Sequence, residues 1–449
     1  MIKALKKIKL FLILFCFFVM PAFSNPIDDL INATSIDSDA TYALYVYDLT
    51  HNKELYKKNE NKLLNPASIL KVLTFGSSYK VLKKDYRFET GIYKYNNDIY
   101  LKLGADTLFS RSDLGALIAS AKKQFDFSKV NNIYIDDTIF DKTPYPMGWT
   151  KDDLWPYQAP ISPYIIDSNK VQILIKRSSL STKVDIMQSD DYKMPIVNKL
   201  TLFYEGADND IKISRLYGEN SPIIEFSGHI NKDLAFDLPV NNPELNFKIK
   251  FHKELDKKSI VYDKFINNKK VPLGAKKLTS ISHSIEDVSK PILINSNNIN
   301  AEVVFRAAAS KYFNKCANFD DAKKMFFEVF DFVNPEEIKL EDASGVTRYN
   351  LISAKVATKI FQNLANDEDF MKLLAKPNEG TLANRFLFLE NNLRAKTGTL
   401  AGVSSLLAEF QSYNKNKIVA CSIIQNSQKK KSLLKDFENR LIAVLYRKY

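Results

Sequence analysis

The chain has 449 residues, of which 45% are hydrophobic and 26% are charged. This composition is typical of globular proteins and excludes a disordered or fibrous chain, and the length is sufficient for two or three domains. Lysines and arginines number 64 against 52 acidic residues, so the formal net charge is +12. The basic balance favours anionic polymers as partners, but nucleic acid is not expected because no nucleic-acid-binding motif occurs.

Residues 1–24 have the pattern of a secretory signal peptide. Four lysines lie between residues 3 and 9, and an apolar run from Leu10 to Met20 follows. This run is too short for a comfortable membrane span, and Ala22-Phe23-Ser24 places small residues at a cleavage site. We therefore expect cleavage before Asn25 and export to the periplasm, with an uncleaved anchor as the alternative.

The first predicted elements after this signal are a β-hairpin and a helix. Leu44 and Val46 alternate with other residues before a turn at Asn52, which predicts the hairpin. The helix begins near Pro66 and places Ser68 and Lys71 three residues apart on one face. A neutral lysine amine can take the proton from a serine hydroxyl and so make it a nucleophile. The pattern is weak alone, since Ser-x-x-Lys recurs elsewhere in this lysine-rich chain.

A long segment of different character follows. Hairpin strands are predicted at residues 88–95 and 99–103, and a strand at 133–135. An amphipathic helix is predicted from Ser112 to Lys123, with Ser112 or Asp113 near its N-cap. A loop rich in proline and tryptophan spans residues 144–163. From Val171 to Leu255, short alternating runs that include Phe247–Phe251 predict a β-rich insert.

Two further motifs lie in the C-terminal third. Ser296-Asn297-Asn298 precedes a helical run, and Lys396-Thr397-Gly398-Thr399 lies in a predicted strand. Helices are predicted at residues 321–332 and 353–364, strands at 406–410 and 418–423, and a closing helix at 433–445 that packs on the sheet. The two cysteines outside the signal, Cys316 and Cys421, are expected to be unpaired and buried, although a disulfide between them is left open.

The three motifs, taken in this order, resemble the Ser-x-x-Lys, Ser-x-Asn and Lys-Thr-Gly set of β-lactamases and penicillin-binding proteins. The long interval between Lys71 and Ser296 is similar to that of D-alanyl-D-alanine carboxypeptidases/endopeptidases of peptidase family S13, the large low-molecular-mass penicillin-binding type. Satellite stretches also resemble that family: Gly104-Ala105-Asp106-Thr107-Leu108, the run from Asp342 to Leu351, and Gly380-Thr381-Leu382. The first of these departs from the family's Gly-Asp-Pro-Thr-Leu at its second and third positions.

The resemblance implies an α/β (α+β) fold with a transpeptidase-like, β-lactamase-like core and a β-rich insert that forms two extra domains. The core would comprise residues 25–84 and 274–449. Inserted domain II would comprise residues 85–170 and 240–273, and inserted domain III residues 171–239.

The resemblance also implies a role for each motif residue. Ser68 would attack the carbonyl between two D-alanines, Lys71 would accept its proton, and Lys396 would lower the pKa of Lys71. Ser296 would relay a proton to the leaving amine, and Asn298 would hold Lys71 and the substrate amide. The substrate carboxylate would lie along the strand of Lys396, at Thr397, Gly398 and Thr399.

The diaminopimelate side chain of a peptidoglycan stem peptide would meet three further residues, Arg348, Asp153 and Tyr157. A structural salt bridge is the alternative for Arg348. β-Lactams would act as inhibitors.

Other kinds of chemistry lack a pattern in the sequence. None of the four histidines lies in a motif, and no metal or cofactor is expected because Cys-x-x-Cys, His-Glu-x-x-His and phosphate-binding glycine loops are missing from the sequence. A β-lactamase or a non-catalytic wall-binding scaffold are the alternatives. The sequence leaves open the balance of carboxypeptidase and endopeptidase action, a homodimer, and a loose association with membrane or wall.

Overall fold

A computed structural model describes residues 25–151, 153–178, 184–203 and 208–449 of the chain. The predicted signal peptide at residues 1–24 lies outside these residues. None of the helices in the described ranges is long and apolar enough to cross a bilayer.

The strands and helices of the described ranges are numbered here in chain order. The strands are β1 (Thr41–Asp48), β2 (Lys53–Lys58), β3 (Arg87–Tyr95), β4 (Asp98–Lys102), β5 (Asn132–Asp136), β6 (Lys170–Arg177), β7 (Val184–Gln188), β8 (Ile196–Leu202), β9 (Asp210–Arg215), β10 (Ile224–Ile230), β11 (Leu234–Pro239), β12 (Lys264–Ile266), β13 (Lys276–Ser284), β14 (Ile338–Lys339), β15 (Leu351–Ile352), β16 (Leu393–Leu400), β17 (Val403–Gln411) and β18 (Lys417–Gln425). The α-helices are α1 (Pro26–Thr34), α2 (Ile36–Asp39), α3 (Leu70–Leu82), α4 (Arg111–Gln124), α5 (Pro243–Asp256), α6 (Ile285–Ser289), α7 (Asn298–Phe313), α8 (Phe319–Val329), α9 (Ala354–Ala365), α10 (Glu368–Lys372) and α11 (Lys431–Lys448).

The largest core is built on a five-stranded antiparallel sheet in the order β16-β17-β18-β1-β2. Successive side chains of a strand point to opposite faces, and β18 shows this well. Val419, Cys421 and Ile423 pack into one hydrophobic cluster, whereas Ile418 and Ala420 pack into another. Both faces of the sheet are therefore covered.

The two covering layers come from different parts of the chain. Helices α3, α7, α8 and α9 contribute to the cluster that contains Val419. Helices α1 and α11, from the two ends of the described chain, contribute to the cluster that contains Ile418. The sheet also joins distant segments, since β1 pairs with β18 along its whole length. This arrangement brings residues near position 68 beside those near position 398.

The segment between the first and second sequence motifs forms further sheets. A mixed sheet in the order β12-β5-β4-β3-β13 packs against α4 and α5 around a third hydrophobic cluster. Two three-stranded sheets, β8-β10-β9 and β11-β6-β7, share a fourth cluster. Strand β13 pairs with β3 although it follows the predicted boundary at residue 273. The domain boundaries themselves stay predictions.

The prediction of strand structure at Phe247–Phe251 was wrong, because these residues lie in α5. Asn242 caps this helix by accepting from the Leu245 N–H, and Pro243 occupies its first turn. Phe247, Phe251 and Leu255 are buried at intervals of four residues, which is helical spacing.

Two smaller expectations also need correction. The N-cap of α4 is Ser110, whose hydroxyl accepts from the Asp113 N–H while the Asp113 carboxylate accepts from the Ser110 N–H. The sequence favoured Ser112 or Asp113 because the capping box begins one residue before the helical periodicity. Both cysteines are free, but Cys316 is exposed and only Cys421 is buried.

A buried ion pair joins α11 to the loop that precedes β16 and gives a stability test. Arg385 donates to the carboxylate of Glu438, with Nη2 to Oε2 at 2.8 Å, and both side chains are buried. Replacing Arg385 with alanine leaves the Glu438 charge unpaired, so we expect a loss of about 3–5 kcal/mol in the free energy of unfolding. Arg440→Ala on the same helix breaks an exposed pair with Asp436 and should cost less than about 1 kcal/mol. Urea unfolding of both variants measures the difference, and equal losses would contradict this account.

Candidate active site

Ser68 and Lys71 lie at the junction of a short 3₁₀ turn, Ala67–Ile69, and α3. The three-residue spacing places their side chains together, with Lys71 Nζ 2.8 Å from Ser68 Oγ. The amine also donates to the main-chain carbonyl of Ser344 at 2.6 Å. Lys71 is fully buried, so the two contacts replace the water that an ordinary lysine would bind.

A second lysine also forms a hydrogen bond with a serine side chain. Lys396 lies on β16, which is an edge strand of the central sheet, and its Nζ donates to Ser296 Oγ at 2.9 Å. The same amine donates to the carbonyl of Thr397 at 2.8 Å, and Lys396 is fully buried. Ser296 has a positive φ of 65°, an uncommon conformation for a serine and one typical of functional turns.

The strand of Lys396 runs directly past the serine turn. A side chain at Gly398 would place its Cβ 2.7 Å from the Ser68 nitrogen and 2.8 Å from the Pro66 carbonyl oxygen. The neighbouring strand adds a bond, since Ser405 Oγ donates to the Pro66 carbonyl at 2.6 Å. The stretch from Thr397 to Thr399 is therefore held against Ser68 by close backbone contact.

Burial controls the charge of both lysines. It lowers the pKa of Lys71 to about 7, and the nearby carboxylates of Asp342 and Glu302 oppose that shift. Burial also lowers the pKa of Lys396 well below its ordinary value, and the charge of Lys71 lowers it further. We expected burial and the Lys396 charge together to lower the pKa of Lys71, but burial is the cause of that shift, and the electrostatic coupling acts from Lys71 on the pKa of Lys396. A neutral amine beside Ser68 is thus available near pH 7.

The loop that supplies the Ser344 carbonyl is organised by one carboxylate. Asp342 is fully buried, and its two oxygens accept six hydrogen bonds. The donors are the main-chain N–H groups of Ser344, Gly345, Val346 and Thr347 and the side chains of Asn350 and Trp149. In the sequence this stretch was identified only as a satellite stretch of the family resemblance, and its link to Trp149, 193 residues away, was not predicted.

Glu302 is another buried acid that the sequence did not single out. Its Oε1 accepts from the Ala343 N–H at 2.6 Å, and its Oε2 accepts from Arg306 at 2.7 Å. Burial raises the pKa of Glu302 to about 7, while the Arg306 charge opposes the rise. The available signal was a Glu–Arg pair four residues apart within the apolar face of a helix.

The hydrogen-bond partner of Asn298 differs from the expected one, Lys71. The side-chain nitrogen of Asn298 donates to the carbonyl of Tyr157 at 2.9 Å, and no hydrogen bond joins it to Lys71 in the described part of the chain. Tyr157 belongs to the Pro- and Trp-rich loop, so the motif at Ser296 is tied to the inserted segment. The Tyr157 hydroxyl donates to the Asp153 carboxylate, and burial together with that carboxylate raises the pKa of Tyr157 to about 12.

A groove opens beside these residues. Its volume is about 710 Å³, and its walls come from the loop and from the Ser296 motif. The residues that line it include Trp155, Tyr157, Lys170, Asn295, Ser296 and Asn298.

Arg348 lies outside these contacts, at the surface. Its guanidinium donates to the carbonyl of Ala401 at 2.8 Å, in the turn that joins β16 to β17. No carboxylate lies within ion-pair distance of it among the described residues, so the structural salt bridge is not seen there.

The fold and these motifs can now be compared with known proteins. A family model described as the D-Ala-D-Ala carboxypeptidase 3 (S13) family matches residues 24–448. The chain belongs to this family. The predicted resemblance is confirmed, and the protein is a serine-type D-Ala-D-Ala carboxypeptidase by class.

Curated relatives of this S13 protein are distant in sequence but match over most of their length. D-alanyl-D-alanine carboxypeptidase DacB of Haemophilus influenzae is 21% identical over 96% of each chain. A D-alanyl-D-alanine carboxypeptidase of an Actinomadura species is 24% identical, covering 82% of this chain and 74% of its own.

Solved structures share the fold. Penicillin binding protein 4 of Haemophilus influenzae has a TM-score of 0.82 at 20% identity, covering 94% of this chain and 99% of its own. A predatory peptidoglycan endopeptidase of Bdellovibrio bacteriovorus has a TM-score of 0.52 at 13% identity, covering 90% and 92%. The predicted α/β fold with a penicillin-binding core and extra domains is confirmed.

The close approach of Gly398 gives a test of the site geometry. Gly398→Ala places a methyl group against the Ser68 amide and the Pro66 carbonyl, so we expect acylation by penicillin to slow by at least about 100-fold, as loss of one oxyanion donor does. Gly218→Ala is the control: no atom lies within 4 Å of its added Cβ, and the strain from its positive φ of 91° stays in the turn between β9 and β10. Stopped-flow acylation rates measure both, and a Gly398→Ala protein with the wild-type rate would refute the contact.

Proposed function

We propose that this S13 protein hydrolyses peptidoglycan stem peptides through an acyl-serine intermediate on Ser68. The observation that carries the proposal is the fully buried Lys71 amine 2.8 Å from the Ser68 hydroxyl. A serine needs a base to become nucleophilic, and a lysine whose pKa is about 7 is a competent base at neutral pH.

The reaction follows from these contacts. The Ser68 proton passes to Lys71 Nζ as Ser68 Oγ bonds to the carbonyl carbon between the two D-alanines. The C–N bond then breaks, and Ser296, held by Lys396, relays the proton that Lys71 took up to the departing amine, so that Lys71 is neutral again. Water hydrolyses the resulting ester and regenerates the Ser68 hydroxyl.

Main-chain N–H groups stabilise the oxyanion that forms when Ser68 attacks the substrate carbonyl. The N–H groups of Ser68 and Thr399 form the oxyanion hole in this proposal, and each such donor is worth about 2.7–4 kcal/mol in comparable enzymes. The terminal carboxylate of the substrate lies along Lys396, Thr397, Gly398 and Thr399. The tight packing of Gly398 on the Ser68 turn supports this placement.

Recognition of the diaminopimelate side chain is assigned to residues at the rim. Asp153 and Tyr157 lie on the loop that forms one wall of the groove, and Arg348 is exposed with no acidic partner in the described ranges. An acid and a cation suit the amine and the carboxylate of such a side chain. Asn298, held by Tyr157, binds the substrate amide in this scheme.

The substrate class indicates where the enzyme acts and what inhibits it. We propose export by residues 1–24 to the periplasm, where stem peptides occur, and inhibition by β-lactams that acylate Ser68. We retain residues 85–170 with 240–273, and 171–239, as the proposed inserted domains. Both carboxypeptidase and endopeptidase action fit the open groove. The intact motifs disfavour the scaffold alternative, and the long insert disfavours the β-lactamase.

Covalent labelling tests the nucleophile. A fluorescent penicillin should form a stable adduct with the mature protein, and Ser68→Ala should abolish it. Ser120→Ala is the matched control, because Ser120 and Lys123 repeat the Ser-x-x-Lys spacing far from the site, and it should label like wild type. A label that forms and disappears quickly would favour the β-lactamase, and digestion of defined muropeptides separates carboxypeptidase from endopeptidase activity.

The pKa of Lys71 predicts a pH profile for acylation. Only the neutral amine accepts a proton, so the rate should rise as pH increases through about 7 and reach a plateau above it. A lysine with an ordinary pKa of about 10.4 would keep the rate rising to alkaline pH. Acylation rates of the wild-type protein between pH 5 and pH 9 distinguish a plateau above pH 7 from a continued rise.

A further inference from the structure

We infer that Asp342 and Trp149 are positioning residues for Lys71, since together they fix the loop whose Ser344 carbonyl orients the Lys71 amine toward Ser68. The inference rests on the proposed function and adds the contribution of the inserted segment to it. Trp149 lies in the Pro- and Trp-rich loop, whereas Lys71 lies on a core helix.

The geometry of a neutral amine explains why a third group is needed. Such an amine has two N–H donors and one lone pair. To accept the Ser68 proton, the lone pair must face the Ser68 hydroxyl, and an N–H must point elsewhere. The Ser344 carbonyl, 2.6 Å from Lys71 Nζ, accepts that N–H and so restricts rotation of the amine.

The position of the Ser344 carbonyl depends on Asp342. One oxygen of Asp342 accepts from the Ser344 N–H at 3.0 Å and the Gly345 N–H at 2.6 Å. These N–H groups flank the Ser344 carbonyl in the chain, so the two bonds fix the peptide plane that bears it. The loop is also pressed on the Ser68 turn, because a Cβ at Gly345 would lie 1.9 Å from the Ala67 oxygen.

Trp149 holds the other side of the same carboxylate. Its indole Nε1 donates to Asp342 Oδ2 at 2.8 Å, and its ring is buried. The Trp149 loop also carries Tyr157, whose carbonyl binds Asn298. One loop of the insert therefore contacts both the base-positioning loop and the Ser296 motif.

Electrostatics distinguish positioning from general support of the fold. Three ionisable groups interact electrostatically with Lys71. The carboxylates of Asp342, on its loop, and of Glu302, on α7, raise the pKa of Lys71. The third is Lys396 on β16, whose pKa the charge of Lys71 lowers. The Asp342 charge raises the pKa of Lys71 against the effect of burial. Removing that charge should therefore lower the pH at which acylation is half-maximal, which loss of stability alone would not do.

The experiment measures penicillin acylation rates between pH 5 and pH 9 for wild type, Asp342→Asn and Trp149→Phe. We expect Asp342→Asn to shift the midpoint down by about one pH unit and to lower the plateau rate at least about tenfold, since the amide cannot accept all six bonds. Trp149→Phe keeps the charge, so we expect an unshifted midpoint and a plateau about fivefold lower, from loss of one charge-assisted bond.

Asp48→Asn is the matched control. Asp48 is also buried and also accepts main-chain N–H groups, from Thr50 and His51, but in the turn after β1. It should lower thermal stability without changing the midpoint or the plateau.

The outcomes separate this inference from the proposed function. A folded Asp342→Asn protein with the wild-type midpoint and plateau would overturn the inference. If Asp342→Asn does not fold, a wild-type plateau in Trp149→Phe overturns it instead. A wild-type protein that takes no label would refute the proposed function, and the inference with it.

Discussion

Two lysine amines buried close together set the main constraint on this molecule. Lys71 and Lys396 are both inaccessible to water, and the charge of the first lowers the pKa of the second. Desolvation of both amines, together with the charge of Lys71 acting on Lys396, favours their neutral forms. The fold must therefore present hydrogen-bond partners to each amine, and it does so with the Ser344 and Thr397 carbonyls and the Ser68 and Ser296 hydroxyls. Catalytic basicity here follows from burial.

The hydrogen-bond partners of the two amines come from four separate stretches of chain, which the fold brings together. The serine turn and α3 follow the first hairpin, the Ser344 loop follows α8, and Lys396 lies on an edge strand of the sheet that β1 and β18 join. The inserted segment supplies Trp149 and Tyr157, which bond to Asp342 and Asn298. Core and insert thus share one hydrogen-bond network and not only an apolar contact.

The sequence was sufficient for the motif residues and for most core elements. Ser68 and Lys71 were recognisable because their pairing depends only on local helical spacing, and Lys396 because it begins the Lys-Thr-Gly motif. The roles of Asp342, Glu302 and Trp149 were not recognisable, because they depend on hydrogen bonds between residues far apart in the chain. Asn298 was assigned a contact with Lys71 by resemblance, but its partner is a main-chain carbonyl that no side-chain pattern reveals. Phe247–Phe251 was misassigned because a short apolar run fits both periodicities until its cap at Asn242 is considered.

The pairing of β1 with β18 has a consequence for biosynthesis. A ribosome makes β1 and the Ser68 turn before the inserted segment, whereas their sheet partners β16 to β18 are made only after it. Contacts of such long sequence separation form slowly because the intervening chain must first be closed into a loop. The growing chain consequently carries an unactivated Ser68 until β16 to β18 have been made, and reactivity begins only when these strands complete the sheet.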